Sequence, residues 1–378
     1  MGTSRRASKP SSKQLLLGLD IGSSSIKMCQ FKQTAKAVEL LHFDMVPLPP
    51  RAIEDGVLIN RAAIVEKIRE LISRNKIRAK NCAISVSGHS VIIKKICVPE
   101  MPPEELDEAI QSEVEQYLPF DIKDVNVDVQ ILNPKVGGGF MDVLLVAAKK
   151  DVVDDYVSVV KEAGLCPVVV DVDTFAIQNA FWLNYEFPPK EVIALVNVGA
   201  STISINVISN GASVYTRDIS MGGSLLTEAI MKELDVPWEE AEHYQKMRVD
   251  DMPFSGGIFQ GVQKCSERVA EALVAEVQHT LDFFEATTLN SDIARIYLLG
   301  GMSEMGALSR ALERRLEIPV KRINPFYNIV IDSRKFNLDV LDEMMPLATV
   351  ALGLAMRFKG DAKPGGSDAR INLLGSKK

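Results

Sequence analysis

A short run of small residues between two charged side chains is the segment of this sequence with the clearest capacity for chemistry. Asp20 ends a buried apolar run, and Lys27 follows soon after it. The residues between them include Gly22, Ser23, Ser24 and Ser25. Small residues let backbone N–H groups approach an anion, Asp20 can hold Mg²⁺ through water, and Lys27 would place a positive charge near terminal phosphates. The run therefore predicts a polyphosphate site, with an ordinary polar hairpin as the alternative.

The same pattern recurs further along the chain. Asn197 lies near the end of a second buried run, which is followed by Gly199, Ala200, Ser201 and Thr202. A third element ends a strand with Gly300, Gly301 and Met302. Glycine at this third position would let a flat nucleotide base lie against the backbone, although a plain strand-to-helix turn has the same composition. Two hairpins of this kind are more specific for a phosphate ligand than one.

The segments that carry these hairpins indicate two related α/β lobes. Leu15–Asp20 is typical of a buried strand, and apolar positions alternate after the turn as in a returning strand. Val192–Val198, a turn and Ile203–Ile208 repeat this order. A paired opening favours duplicated sheets. The length of 378 residues also favours more than one core, since single cores stop growing at about 250–300 residues.

Composition and charge exclude several classes of protein. The chain is 47% hydrophobic and 25% charged, which is ordinary globular usage. A net charge of −7 argues against nucleic acid as the main partner. The five cysteines are scattered without a CxxC pair, so they indicate neither a disulfide framework nor a zinc site. No apolar run approaches the roughly 20 residues that span a bilayer, and we expect a cytoplasmic protein.

An insert interrupts the first lobe between the strand Asn81–Ser87 and the helix that begins near Phe175. Its pattern is strand, helix, strand, strand and helix, with the first helix over Pro103–Leu118. Alternation of this kind predicts a small open sheet with a face of its own.

These elements, in this order, resemble the actin, Hsp70 and sugar-kinase superfamily from Leu15 to Phe358. The resemblance implies an α/β, actin-like two-lobed fold that binds ATP or ADP with Mg²⁺ between the lobes. It further implies that Gln178 helps to position an attacking water and that Glu242 contacts the adenosine. Helices at Phe175–Phe181 and Met344–Met356 would then cross between the lobes.

The insert is similar to that of FtsA-like proteins, and the stretch Glu113–Phe120 resembles the PilM family of type IV pilus assembly proteins. That resemblance implies a cytoplasmic adaptor, peripheral at the inner face of the bacterial inner membrane. Its partner would be the N-terminal cytoplasmic peptide of PilN and, through it, PilO and the pilus motor. The candidate peptide contacts in the insert are Glu113, Tyr117, Leu118 and Phe120.

Two departures from the superfamily pattern bear on catalysis. Asn197 stands where an aspartate is usual, and an amide cannot act as a base. The lysine that would accompany Glu242 is replaced by Gln245. We therefore expect nucleotide binding and at most slow ATP hydrolysis, with Asp20, Gln178 and Asn197 at the reacting end. An FtsA-like filament protein is the alternative function, and a small-molecule kinase is a more distant one.

The chain after Phe358 is rich in Gly, Pro and Ser, which is typical of a flexible linker. The linker is followed by Arg370, Ile371, Asn372, Leu373 and Leu374. This segment resembles the short Arg-Ile-Asn-Leu-Leu-Pro type of segment in PilN, and coincidence in a short apolar stretch is an equally open interpretation. If the resemblance holds, the tail would compete with PilN for a groove between the first lobe and the insert, or would link neighbouring molecules.

The pattern as a whole predicts a division of the chain into lobes, insert and tails. The first lobe takes 15–90 and 165–189, the insert 91–164, the second lobe 190–225 and 290–343, and its helical subdomain 226–289. A helix over 344–359 crosses back to the first lobe, and 1–14 and 360–378 are disordered or flexible tails.

Overall fold

The computed structural model describes residues 15–34, 37–102, 105–106, 109–110, 115–187, 191–247, 257–288, 292–358 and 371–374. The strands are β1 (Leu17–Ile21), β2 (Ser25–Gln33), β3 (Val38–Pro47), β4 (Ile53–Glu54), β5 (Val57–Leu58), β6 (Asn81–Val86), β7 (Val91–Pro99), β8 (Val125–Gly137), β9 (Phe140–Lys149), β10 (Cys166–Val172), β11 (Val192–Val198), β12 (Ile203–Ser209), β13 (Ala212–Ile219), β14 (Ile293–Leu299), β15 (Val320–Arg322) and β16 (Ile329–Val330). The α-helices are α1 (Arg61–Arg74), α2 (Lys150–Glu162), α3 (Asp173–Asn184), α4 (Ser224–Leu234), α5 (Trp238–Lys246), α6 (Ile258–Thr287), α7 (Gly306–Leu316), α8 (Leu338–Met344) and α9 (Thr349–Ala355).

The first lobe is built on a six-stranded sheet in the order β10-β6-β1-β2-β3-β16. β1, β2 and β3 form an antiparallel meander, and β6 and β10 continue the sheet in parallel on the other side of β1. β1 is buried along its whole length, as expected for a strand covered on both faces. The register pairs Asp20 with Lys27 across β1 and β2, which places both side chains at the hairpin end.

The second lobe repeats this plan in a five-stranded sheet with the order β13-β12-β11-β14-β15. β11, β12 and β13 are antiparallel neighbours, and β14 and β15 add in parallel beside β11. The helices α4, α6 and α7 bury one face each against this sheet in a single apolar core. The duplicated α/β architecture predicted from the two hairpins is therefore confirmed.

The insert forms a three-stranded antiparallel sheet, β7-β9-β8, whose two faces belong to different cores. Val143 and Leu145 on β9 pack within the insert, while Leu144 and Val146 join the core of the first lobe. Successive residues of a strand point to opposite faces, so β9 joins the two cores. The buried face of α2 also lies in the first-lobe core, although α2 falls in the stretch predicted for the insert. The helix predicted over Pro103–Leu118 lies partly outside the described residues.

One strand differs from the predicted division of the chain. β16 falls within the span assigned to the second lobe, yet it pairs in parallel with β3 at the edge of the first-lobe sheet. Phe326 and Leu341, on either side of β16, share an apolar cluster with Phe31 and Phe43. Burial of these large side chains against the first lobe stabilises the position of β16 in that sheet. The contact joins residues far apart in sequence, so the local hydrophobic pattern does not predict it.

The crossing helices α3 and α9 pack against each other with almost no space between them. A Cβ on Gly353 would lie 1.7 Å from the carbonyl oxygen of Ala176, so only glycine permits this approach. The helix predicted over Met344–Met356 is interrupted: α8 ends at Met344, a 3₁₀ turn covers Met345–Leu347, and α9 follows. Pro346 lies in that turn and has no N–H to donate, which accounts for the break. No helix in the described ranges is long and apolar enough to cross a membrane.

Candidate functional site

The first hairpin holds its two charged residues together. The Nζ atom of Lys27 lies 3.2 Å from a carboxylate oxygen of Asp20, and both side chains are buried. The N–H of Gly22 donates to the carbonyl of Ser25 across the turn, at 3.2 Å. A Cβ on Gly22 would lie 2.9 Å from Lys27 Nζ, so the absence of a side chain leaves room for the ammonium group over the turn. The hairpin thus presents small residues and one positive charge at the end of a flexible side chain.

The second hairpin has the same backbone turn and touches the first. The N–H of Gly199 donates to the carbonyl of Thr202 at 2.9 Å. Ser201 Oγ donates to Ser23 Oγ at 2.8 Å, which brings the two turns into direct contact. The predicted pairing of one hairpin from each lobe is therefore present in the geometry.

A pair of glycines that is not among the residues predicted from the sequence packs against the second hairpin. The N–H groups of Gly223 and Ser224 donate to the carbonyls of Gly199 and Ala200 at 2.9 and 2.8 Å. A Cβ on Gly222 would lie 2.6 Å from each of those two carbonyl oxygens. The available signal was a Gly-Gly pair directly before a helix, here α4, which marks a close backbone approach.

The third predicted element lies beside the second hairpin. Gly300 has a φ of 81°, and a Cβ there would lie 2.4 Å from the carbonyl oxygen of Val198 and 2.7 Å from Oδ1 of Asn197. Gly301 follows at the start of a 3₁₀ turn, Gly301–Glu304. The loop after β14 therefore crosses directly over the carboxyl end of β11, where open α/β sheets bind their ligands.

Met302 and Gln245 lie together at the far side of this loop. Gln245 Nε2 is 3.4 Å from Sδ of Met302, and Gln245 also accepts a hydrogen bond from the hydroxyl of Thr227. A Cβ on Gly223 would contact both side chains. Glu242, which the resemblance assigned to the adenosine, forms an ion pair with Lys246 on its own helix at 2.8 Å. The residue beside the glycine loop is thus Gln245, the position where a lysine was expected.

Gln178 is buried in α3, and its side-chain oxygen is hydrogen-bonded. Its Oε1 accepts from Asn206 Nδ2 at 3.1 Å, and Asn206 in turn accepts from Ser213 at 2.6 Å. This network joins α3 to β12 and β13 of the second lobe. The contact described for Gln178 is therefore between the lobes, and a role in positioning water stays a prediction.

Asp173, the first residue of α3, is a further acid near the first hairpin, and it is not among the site residues predicted from the sequence. Ser85 Oγ donates to its carboxylate. Burial, followed by the negative charge of Asp20, raises the pKa of Asp173 to about 7, although hydrogen bonds from Ser85 and Ser87 act in the opposite direction. The usable signal was its place at the carboxyl end of a parallel strand, the same position that Asp20 holds in β1.

The base of the insert is tied to the second lobe. The N–H of Gly88 donates to Oδ2 of Asp218 at 2.6 Å, and Ser220 Oγ lies 2.9 Å from His89 Nε2. Burial raises the pKa of Asp218, while the hydrogen bond from Gly88 opposes that shift. These contacts connect the turn between β6 and β7 to the end of β13, close to the Gly222-Gly223 pair.

The tail segment, Ile371–Leu374, lies in a groove between β10 and the insert sheet. Ile371 and Leu373 are 1% and 0% exposed and belong to the first-lobe core. The N–H of Leu373 donates to the carbonyl of Val170 at 2.7 Å. The N–H of Asn372 donates to Asp128 Oδ2 on β8 at 2.7 Å. Arg370 lies outside the described residues.

Of the insert residues predicted to contact a partner peptide, the three that the structure describes do not line this groove. Tyr117 and Leu118 pack within the insert core together with Val129. Asp128, which touches the tail segment, precedes Val129 on β8 and therefore points to the opposite face. Phe120 lies under the ammonium group of Lys149, with 4.5 Å between Nζ and the ring centroid, and Glu113 lies outside the described residues.

No group of three or more His, Cys, Asp or Glu side chains in the described part of the chain is arranged to hold a metal ion. Asp20 alone does not form a complete metal site. It fits Mg²⁺ in the ion's usual protein setting, where one or two carboxylates are supplemented by phosphate oxygens and water. Gly22 and Gly300 keep side chains off the two hairpin ends, where a Cβ would press on Lys27 Nζ or on Asn197 Oδ1. Small residues of this kind let the backbone approach a phosphate-bearing ligand closely.

Comparison with known proteins gives a consistent assignment. The family model described as type IV pilus assembly protein PilM matches residues 18–359. The cell division protein FtsA of Neisseria meningitidis serogroup B (strain ATCC BAA-335 / MC58) is 24% identical over 350 residues, which cover 80% of this chain and 82% of that protein.

Solved structures agree with this assignment. A PilM–PilN type IV pilus biogenesis complex superposes with a TM-score of 0.79 and 28% identity, covering 92% of this chain and 99% of that one. The ethanolamine utilization protein EutJ from Carboxydothermus hydrogenoformans has a TM-score of 0.54 and 17% identity, with 92% and 91% covered. The likeness to EutJ shows the shared fold alone.

Proposed function

Because the chain belongs to the PilM family of type IV pilus assembly proteins, we propose that it is a nucleotide-binding adaptor that docks the N-terminal cytoplasmic segment of PilN. The similar solved structure is a complex of PilM with PilN, which supports PilN as the partner. The adaptor is held by this partner at the cytoplasmic face of the bacterial inner membrane, and it reaches PilO and the pilus motor through PilN.

The observation that carries nucleotide binding is the contact between two glycine-containing hairpins, one from each lobe. ATP or ADP binds between them, with backbone N–H groups of both turns directed to the phosphates. Lys27 supplies the positive charge, and Asp20 orders Mg²⁺ through water. The loop at Gly300-Gly301, beside Met302 and Gln245, takes the base.

Hydrolysis of the nucleotide is slow. Asn197 occupies the place in the second lobe where a carboxylate would organise metal and water, and the amide cannot accept a proton from the water. Bound nucleotide therefore acts mainly as a ligand that holds the lobes together, rather than as a substrate that is rapidly consumed.

The PilN segment binds in the groove between the edge strand β10 and the insert sheet. The free edge of a sheet offers unpaired backbone groups, and an extended peptide recognises such an edge while its side chains enter neighbouring pockets. Leu144, Val146 and Val170 belong to the same apolar cluster as Ile371 and Leu373, which occupy this groove.

A nucleotide titration of matched lysine variants tests the cleft. Lys27→Ala removes a charge-assisted contact and is expected to weaken Mg-ATP binding by about 1.5–3 kcal/mol. Lys32→Ala, on the same strand but exposed, is the control and should leave affinity unchanged. Equal affinities of the two variants would show that the first hairpin does not hold the phosphates.

Hydrogen exchange tests the peptide site. Because residues 371–374 already contact β10 and β8, the strands that border the groove, a synthetic PilN N-terminal segment that binds there should lower the protection of residues 371–374 while β10 and β8 stay protected. Protection confined to α5 or α7 would place the partner elsewhere.

A further inference from the structure

The tail segment makes contacts of a kind expected for a bound peptide ligand. Asn372 carries most of them. Its side-chain Oδ1 accepts from the N–H of Val170 at 2.9 Å, and its Nδ2 donates to the carbonyl of Val168 at 3.3 Å. A carboxamide has the same donor and acceptor as a peptide group, so Asn372 pairs with the edge of β10 as a neighbouring strand would.

The groove is specific for the residues on either side of this asparagine. Ile371 and Leu373 are both buried in the first-lobe core, and Leu374 packs partly against it. The backbone N–H between the two buried side chains donates to Asp128 of the insert. The groove therefore holds an apolar residue, an asparagine and two further apolar residues, with contacts from both β10 and β8.

A buried arginine connects the tail segment to the crossing helix. Arg357 follows α9 and is 2% exposed, and it forms an ion pair with Asp171 of β10, which is fully buried. The same guanidinium donates to the carbonyl of Ile371 at 3.0 Å. The occupant of the groove is thus held by a residue that also anchors the end of α9, the helix that packs against α3 and β1.

We propose that this groove is a recognition site for apolar-Asn-apolar-apolar peptides and that the chain's own tail segment is its resident, autoinhibitory ligand. The inference rests on the proposed function, since the segment that the tail excludes is the partner peptide. A ligand tethered through residues 359–370 experiences an effective concentration on the order of millimolar, so modest intrinsic affinity suffices for occupation. A partner peptide of the same chemistry must displace the tail before it binds.

The experiment uses full-length protein and two release variants. Leu373→Asp places a charge where an apolar side chain is buried, and Asn372→Leu removes the carboxamide while keeping a side chain of similar size. Leu338→Asp makes the same leucine-to-aspartate exchange at an exposed position and is the control. Thermal unfolding confirms that each variant is folded, and Asn372→Leu decides the outcome if Leu373→Asp is not.

Two measurements are made on each protein. Hydrogen exchange reports on residues 371–374, and titration with a labelled synthetic peptide of residues 369–375 reports on access to the groove. We expect the tail amides to be protected in the wild type and in Leu338→Asp, and unprotected in the release variants. If the tail fills the groove in at least nine of ten molecules, the release variants bind the peptide about tenfold tighter or more. Adding Asp128→Ala to a release variant should weaken that binding.

The outcomes separate this proposal from the proposed function. Unprotected tail amides in the wild type, or equal peptide affinity in wild type and release variants, would overturn the autoinhibitory role. Protection that depends on protein concentration would assign the tail to the groove of a second molecule and would also overturn it. Titration with the PilN segment completes the design: if release variants bind the tail peptide but not PilN, the partner assignment fails while the site stands. If PilN binds wild type and release variants equally, the partner assignment stands and the autoinhibitory role of the tail fails.

Discussion

The two hairpins have the same backbone turn, but their side chains differ in charge. In the first, Asp20 and Lys27 form a buried pair at the strand ends, and Asp173 adds a second acid close by. In the second, Asn197 takes the position of the acid, and the turn itself carries only small residues and hydroxyls. The first hairpin therefore carries charged side chains, and the second carries small and uncharged ones.

The glycines around the two hairpins differ in the same way. Gly22 is close to the flexible end of a lysine, whereas Gly222 and Gly300 are close to backbone carbonyls that cannot move aside. The second lobe is thus built to a fixed backbone geometry, while the first retains an adjustable charge. The charge in the first lobe and the backbone geometry in the second lobe can therefore be altered by separate substitutions.

The largest effect is expected from Gly300→Ala. Its positive φ disfavours any side chain, and the added Cβ would lie 2.4 Å from the Val198 carbonyl oxygen. We expect a loss of about 2–4 kcal/mol in the free energy of unfolding, measured by chemical denaturation. Gly22→Ala, where the ammonium group of Lys27 can shift, should cost no more than about 1 kcal/mol. A similar cost at both sites would remove the contrast between the lobes.

The next effect is the pH dependence of the free energy of unfolding that Asp173 causes. Because its pKa is raised from 3.8 to about 7, its contribution to stability is fully present below about pH 4 and is lost as pH rises through 7. Asp173→Asn abolishes that loss, so the variant should gain stability relative to wild type between pH 4 and 8, by at most about 4 kcal/mol. Asp151→Asn, an exposed acid in the first turn of α2, controls for the helix dipole. Parallel pH profiles for wild type and Asp173→Asn would contradict the prediction.

Asn197→Asp tests whether the second lobe lacks only a carboxylate. The new acid can order metal and water, and we expect ATP turnover to rise about tenfold, or roughly 1.4 kcal/mol in the barrier. Steady-state phosphate release is the measurement. Asn210→Asp, at an exposed turn of the same lobe, should leave the rate unchanged. A wild-type rate that already lies in the ordinary enzyme range would refute slow hydrolysis.

The smallest effect concerns the contact between the hairpins. Ser201→Ala removes the hydroxyl that donates to Ser23 and should lower the free energy of unfolding of the nucleotide-free protein by about 0.5–1 kcal/mol. Ser209→Ala, at the other end of β12, is the control for loss of a serine hydroxyl. If both serine variants are equally stable, the contact contributes nothing to holding the lobes together.

Features with a local cause could be predicted from the sequence. The strands beside each hairpin follow from apolar runs of strand length, and the turns follow from clustered small residues. Asp20, Lys27 and the glycines of the three loops were found because each lies at the end of such a run. The break at Pro346 also has a local signal, because proline removes a backbone donor, but the predicted helix over Met344–Met356 ran through it.

Features created by distant parts of the chain could not be predicted in this way. β16 joins the first-lobe sheet because Phe326 and Leu341 are buried there, far from β3 in sequence. Asp173 becomes unusual only when folding brings Asp20 and Ser85 beside it. The insert wall of the groove was sought near Tyr117, whereas the residue that touches the tail is Asp128, on the opposite face of the same sheet.

The placement of α9 also constrains how the protein is made. The second-lobe sheet comes from one continuous stretch, β11 to β15. The first-lobe core needs α9, the bond from the N–H of Leu16 to the carbonyl of Arg357, and β16, all of which are synthesised after that stretch. Translation proceeds at about 5–20 residues per second, so the second lobe can fold while the first still waits for its last elements. The lobe that begins first on the ribosome is therefore completed last, and its apolar strands are the part of the nascent chain that most needs protection from aggregation.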